Sequence, residues 1–113
     1  MLDYRDIEAI EQDIMNGIAR AAIARGYVIS VHDGDDYVLN RSQSVPAILF
    51  HAGATDVTTF LIRNQHGENL GSILFIHGNG VEVVADCTDV PAITVIVDYV
   101  TDRVGAQIVG SVA

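Results

Sequence analysis

The stretch DVTTFLIRNQHGENLGSILFIHGNGVEVVAD, residues 56–86, constrains this chain more than any other. It holds three β-rich apolar runs separated by two turn signals, His66-Gly67 and Asn79-Gly80. Asn followed by Gly suits a type I′ hairpin, in which both central residues take positive φ. Three antiparallel strands are expected here, and the rest of the chain must cover them. Alternation gives these strands two apolar faces. Val57, Thr59 and Leu61 point one way in the first run, while Thr58, Phe60 and Ile62 point the other. In the second run Ser72, Leu74 and Ile76 oppose Ile73, Phe75 and His77.

Residues 3–25 place Ile7, Ile10, Ile14, Ile18, Ala21 and Ala22 on one stripe at helical spacing, with Glu8, Glu11, Asp13 and Arg20 largely off it. Asp3 is the expected N-cap and Gly26 the expected left-handed terminator. Gly17 marks either a close contact or a flexible point. YVISVH (27–32) and YVLN (37–40) flank the turn DGDD as a hairpin. Ser44 then caps a short helix with Pro46 in its first turn and Gly53 near its end. Thr88 or Asp89 caps a last helix with the stripe Val90, Ile93, Val97, Val100 and Val104. Gly105 is expected to end it, leaving a tail without assignable structure.

The order α-β-β-α-β-β-β-α in 113 residues gives one α+β domain: an N-terminal helix (1–26), a sheet with two helices (27–104) and a tail (105–113). Short turns between antiparallel neighbours imply a five-stranded meander with helices on one face. Such a layout leaves Phe60, Ile62 and Phe75, or their opposites, without cover.

Residues 27–50 also align without a gap onto 72–95, with His32 on His77, Val38 on Val83 and Val45 to Ile48 on Val90 to Ile93. Two readings fit: an internal ββα duplication around the central strand, or the ordinary likeness of one hairpin followed by a Pro-started helix to another.

The net charge of −9, with six cationic residues all arginine, is unsuited to gripping a phosphate backbone, so direct nucleic-acid binding is set aside. Acidity serves solubility, and imitation of a nucleic acid is an alternative. The single cysteine, Cys87, allows no internal disulfide. Carboxylates in MLDYRDIEAI and the absence of any apolar run of about 18–20 residues lead to the expectation of a soluble, cytoplasmic protein without a membrane segment.

Candidate chemistry is sparse. His32, Asp33, Gly34, Asp35 and Asp36 gather carboxylates and an imidazole, but an EF-hand loop from Asp33 would need glycine where Val38 stands and glutamate where Ser44 stands. The four histidines and Cys87 lack zinc-site spacing. The metal or hydrolase alternative would draw on His32, Asp35 and His77, with Cys87 beside them. No serine lies in a nucleophile elbow, and HGNG does not open a helix as a phosphate loop does. Asp86 and Asp89 beside Cys87 raise its thiol pKa. No catalytic residue and no cofactor are expected.

Asp33, Gly34 and Tyr37, then Arg41 and Ser42, Gly67 and Gly71, the run Gly78, Asn79 and Gly80, and finally Asp86, Thr88, Asp89 and Pro91 form a pattern over residues 27–95. It resembles a group of small proteobacterial and phage proteins of unknown function. Ser72 departs from it where an aromatic residue is expected. Its motifs are turns and helix caps, so the resemblance implies a fold and carries no activity over. The functional expectation is a non-enzymatic protein-binding module, phage- or prophage-derived, that engages a protein partner or a second copy as a homodimer. Phe60, Ile62 and Phe75 on the sheet and Asp35 and Asp36 in the acidic turn are the candidate contact residues.

Overall fold

The computed structural model describes residues 4–53 and 55–112, with side chains over 7–53 and 55–106. The elements follow the expected order: α1 (Tyr4–Ala24), β1 (Val28–His32), β2 (Tyr37–Ser42), α2 (Val45–His51), β3 (Val57–Arg63), β4 (Asn69–Ile76), β5 (Val84–Cys87) and α3 (Pro91–Val112). Among the described residues no helix is long and apolar enough to cross a membrane.

The apolar stripe of α1 does what its spacing requires: Ile10, Ile14, Ile18 and Ala22 are buried. Gly26 follows at φ 82°, as a left-handed terminator should; the expected cap, Asp3, lies outside the described residues. A Cβ on Gly17 would stand 2.8 Å from Val100 Cγ1, so close approach of α3 explains that glycine. In α2 the Ser44 hydroxyl accepts the Ala47 N–H at 3.3 Å, with Pro46 in the first turn. Gly105 does not end α3, which continues to Val112. Ile108 and Val112 prolong the four-residue spacing of Val100 and Val104, and one glycine costs a helix only about 1 kcal/mol. Most of the expected tail is therefore helix.

All five strands form one sheet in the order β2-β1-β3-β4-β5, antiparallel throughout. The antiparallel sheet is as expected, and its path leaves a strict meander at one step. Here α2 carries the chain from β2 back past β1, so that β3 pairs with β1. Composition explains the choice: Ile29, Ser30 and Val31 of β1 are buried, as an interior strand requires. By contrast β2 carries exposed Asn40 and Arg41 and suits an edge. Arg41 takes φ 48° and the β1–β2 register shifts twice. The other edge, β5, is four residues long and also shifts register against β4.

The helices lie on one face. Register places Ile29 opposite Ile62, Val31 opposite Phe60, and Phe60 opposite Ile73. These side chains are fully buried with Ile14, Ile18, Ile48 and Ile93 of the three helices in one core. Gly71, at φ 148°, sits where β4 passes under α3, and a Cβ there would be 2.7 Å from Thr88 Cβ and 3.1 Å from Ile93 Cγ1. The Thr88 hydroxyl accepts the Ser72 N–H at 2.9 Å, so the same movement would break a bond that ties β4 to the start of α3. Gly71→Ala is expected to lower stability by about 2–3 kcal/mol in urea unfolding, through overpacking and backbone strain; an unchanged midpoint would contradict this packing.

The aligned segments 27–50 and 72–95 do not superpose as a repeat. Buried Ile29 and Val31 align with Leu74 and Ile76, which face away from the helices. Moreover β1 and β4 run the same way on either side of β3, yet β2 and β5 lie on opposite flanks of them. With the helices on a common face, the two ββα segments have opposite hands.

Candidate functional site

The face away from the helices carries an apolar row. Val57 pairs with Ile76, Thr59 with Leu74 and Leu61 with Ser72 across β3 and β4. Val57, Leu61 and Leu74 are partly exposed and Ile76 is 40% exposed. Arg63 closes the row at one end opposite Val28, and its Nε is buried with no hydrogen-bond partner among the described residues. Phe60, Ile62 and Phe75 are all fully buried on the helical face, the two rings packed edge to face at 4.7 Å. They are core residues sealed beneath the helices, which corrects the expectation that they form an open contact surface. Their strand neighbours Leu61, Leu74 and Ile76 occupy the uncovered side. Alternation separates the two sets, but only the landing of the helices decides which one is sealed.

The acidic turn stands at the end of this face where Val57 and Ile76 pair. The Thr55 hydroxyl bridges to it, donating to the Asp33 carbonyl at 2.6 Å and lying 2.8 Å from the Val57 carbonyl. Asp33 Oδ1 accepts the N–H groups of Asp35 and Asp36, each at 2.9 Å. Those two bonds, from Asp36 first and then Asp35, hold its carboxyl below the usual range. Asp33 therefore builds the turn, while Asp35 and Asp36 are exposed.

His32 and His77 do not converge. Nδ1 of His32 accepts the Gly34 N–H at 3.1 Å and its ring packs edge-on to Tyr37. His77 lies beyond β4, with β3 between that strand and β1, and turns toward α1 on the other side. Among the described residues no three His, Cys, Asp or Glu side chains gather as metal ligands. The alternative set His32, Asp35 and His77 is thus not brought together. Cys87 is partly buried; burial first, then the carboxylates of Asp86, Asp98 and Asp89, push its thiol pKa up and keep it protonated at neutral pH.

A second polar centre went unread in the sequence. Glu11, only 4% exposed, reaches from α1 into the turn after β4. Its Oε2 accepts the N–H groups of Gly78 and Gly80, both at 2.8 Å, and its Oε1 lies 3.4 Å from His77 Nδ1. His77 Nε2 is 2.8 Å from the Thr58 hydroxyl, which also accepts the Gly53 N–H at 3.0 Å. An Nδ1 proton on His77 donates to Glu11, while Nε2 faces the Thr58 hydroxyl.

This centre also reshapes the turn expected as a type I′ hairpin. Asn79 has φ −107°, whereas Gly78 and Gly80 are positive at 98° and 61°. The chain wraps the carboxylate, makes a single 3-10 turn at Gly80–Glu82 and only then enters β5. Hydroxyl, imidazole and carboxylate stand in the order of a hydrolase triad, but Thr58 is 1% exposed and its oxygen is engaged by Gly53. The array ties α1, β3 and the turn after β4 together; hollows of about 270 and 290 Å³ border His77 and Glu11, and Thr58 lines neither of them.

Comparison of the chain with protein-family models, with curated proteins and with solved structures finds no match.

Proposed function

We propose that this chain is a cytoplasmic protein-binding module without catalytic activity, which docks a partner on the uncovered face of its sheet. The observation that carries this reading is the row Val57, Leu61, Leu74 and Ile76, side by side on β3 and β4 with no helix over it among the described residues. A contiguous apolar face of this kind favours a covering surface. The partner's chemistry follows from the rim. Asp35 and Asp36 stand at the end of the row, Asp86 on β5 lies opposite Leu74, and the chain carries −9 overall. A partner with an apolar centre and a basic border matches it.

The test compares the tagged wild-type chain with Leu74→Asp and with the double variant Asp35→Asn/Asp36→Asn in capture from host lysate, alongside sedimentation equilibrium of each chain alone. A stoichiometric basic partner is expected. Its affinity should fall at least tenfold, about 1.4 kcal/mol or more, with Leu74→Asp. The wild-type complex should weaken with salt, and the double aspartate variant should flatten that salt dependence. Capture that is indifferent to Leu74→Asp would overturn the reading. So would a dimer of the chain alone that Leu74→Asp dissociates, which would assign the face to a second copy.

A further inference from the structure

We infer that the groove between α1 and α3, on the far side of the core from the uncovered sheet face, binds a small amphipathic anion. Arg20 and Arg103 hold the single negative head, and the apolar body lies on Gly17, Ala21, Val100 and Val104. The groove measures about 400 Å³, inside the ~300–1,000 Å³ span of small-molecule sites.

Its floor exists because the helices meet without a side chain on the α1 side. A Cβ on Gly17 would come within 2.8 Å of Val100 Cγ1, so the contact is bare backbone against valine. One turn along α1, Ala21 keeps the floor low and apolar. Tyr99, 62% exposed, stands at the margin and offers a ring to a flat body.

The head-binding groups come one from each helix. Arg20 Nε donates to Asn16 Oδ1 at 3.0 Å, which fixes the guanidinium against its own helix and leaves its terminal nitrogens as donors. Arg103 lines the same groove from α3. The lining contains one carboxylate, Asp13, against these two guanidiniums, so it is locally cationic in a chain of net charge −9 with six cationic residues. Asp13 and the surrounding negative field weigh against a polyanion. A carboxylate or sulfonate on a compact apolar body fits the planar guanidinium forks and the small-residue floor together.

The probe is 8-anilinonaphthalene-1-sulfonate, with uncharged N-phenyl-1-naphthylamine as the comparison, both followed by fluorescence. One saturable sulfonate site per chain is expected. Its Kd should rise about tenfold or more in Arg20→Gln/Arg103→Gln and remain unchanged in Leu74→Asp. The uncharged amine should be indifferent to the arginine substitutions. Both arginines are exposed, so the fold should survive their exchange. Ala21→Glu, which keeps them and sets a carboxylate on the floor, must weaken the sulfonate as well. The inference is overturned by absence of saturable binding, by a double variant that binds like the parent, or by loss of binding in Leu74→Asp.

Discussion

Phe60→Ala is expected to lower the stability of this protein by about 3–5 kcal/mol, measured by urea unfolding. Phe60 lies on the central strand β3, is fully buried, and stands between Val31 and Ile73 in register. Truncation removes a fully buried ring from the core that the sheet shares with the helices and leaves a hole beside the Phe75 ring, 4.7 Å away. The neighbouring Leu61→Ala is the control. That side chain is on the same strand but the other face and partly exposed, so its truncation should lower stability by about 1 kcal/mol. Equal losses at the two positions would mean that the sealed and open faces of the sheet are not as described.

The second large effect concerns a charge. Glu11→Ala is expected to destabilise the fold by about 3–5 kcal/mol, because it strands groups that have no other partner among the described residues. The N–H groups of Gly78 and Gly80 both end on Oε2, and Gly80 is buried. Glu11→Gln retains an oxygen for the two glycines and should lose less, about 1–2 kcal/mol. Amide exchange at Gly80 should accelerate in Glu11→Ala well before global unfolding. A Glu11→Ala protein within about 0.5 kcal/mol of the parent, the range of ordinary surface changes, would remove Glu11 as the organiser of this turn.

These positions also show how far the sequence could be read. Local signals sufficed for the element order: the helical stripe from Ile10 to Ala22, the Ser44 cap with Pro46, and the period-two runs of β3 and β4. They fell short wherever a distant group decides. Glu11 lies off the main apolar stripe and reads as a solvent-facing acid, yet the bare amides of HGNG draw it inward. Glycines flanking Asn79 were the available signal, since two unshielded N–H groups in a tight turn can cradle an anion as readily as they can close a hairpin. The choice of sealed face was equally invisible: β3 is apolar on both sides, and only the arrival of three helices sorts Phe60 from Leu61. Gly105 misled in the opposite direction, because a glycine ends a helix only where the chain actually turns away.

The irregular flanks of the sheet have a consequence for assembly. A sixth strand added from another chain needs a straight, evenly spaced ladder of free N–H and C=O groups. At one flank Arg41 bends β2 through φ 48°, and at the other β5 offers four residues, with exposed Asp86 among them and a shifted register. Neither rim is a good template, so open-ended stacking of copies into a continuous sheet is disfavoured.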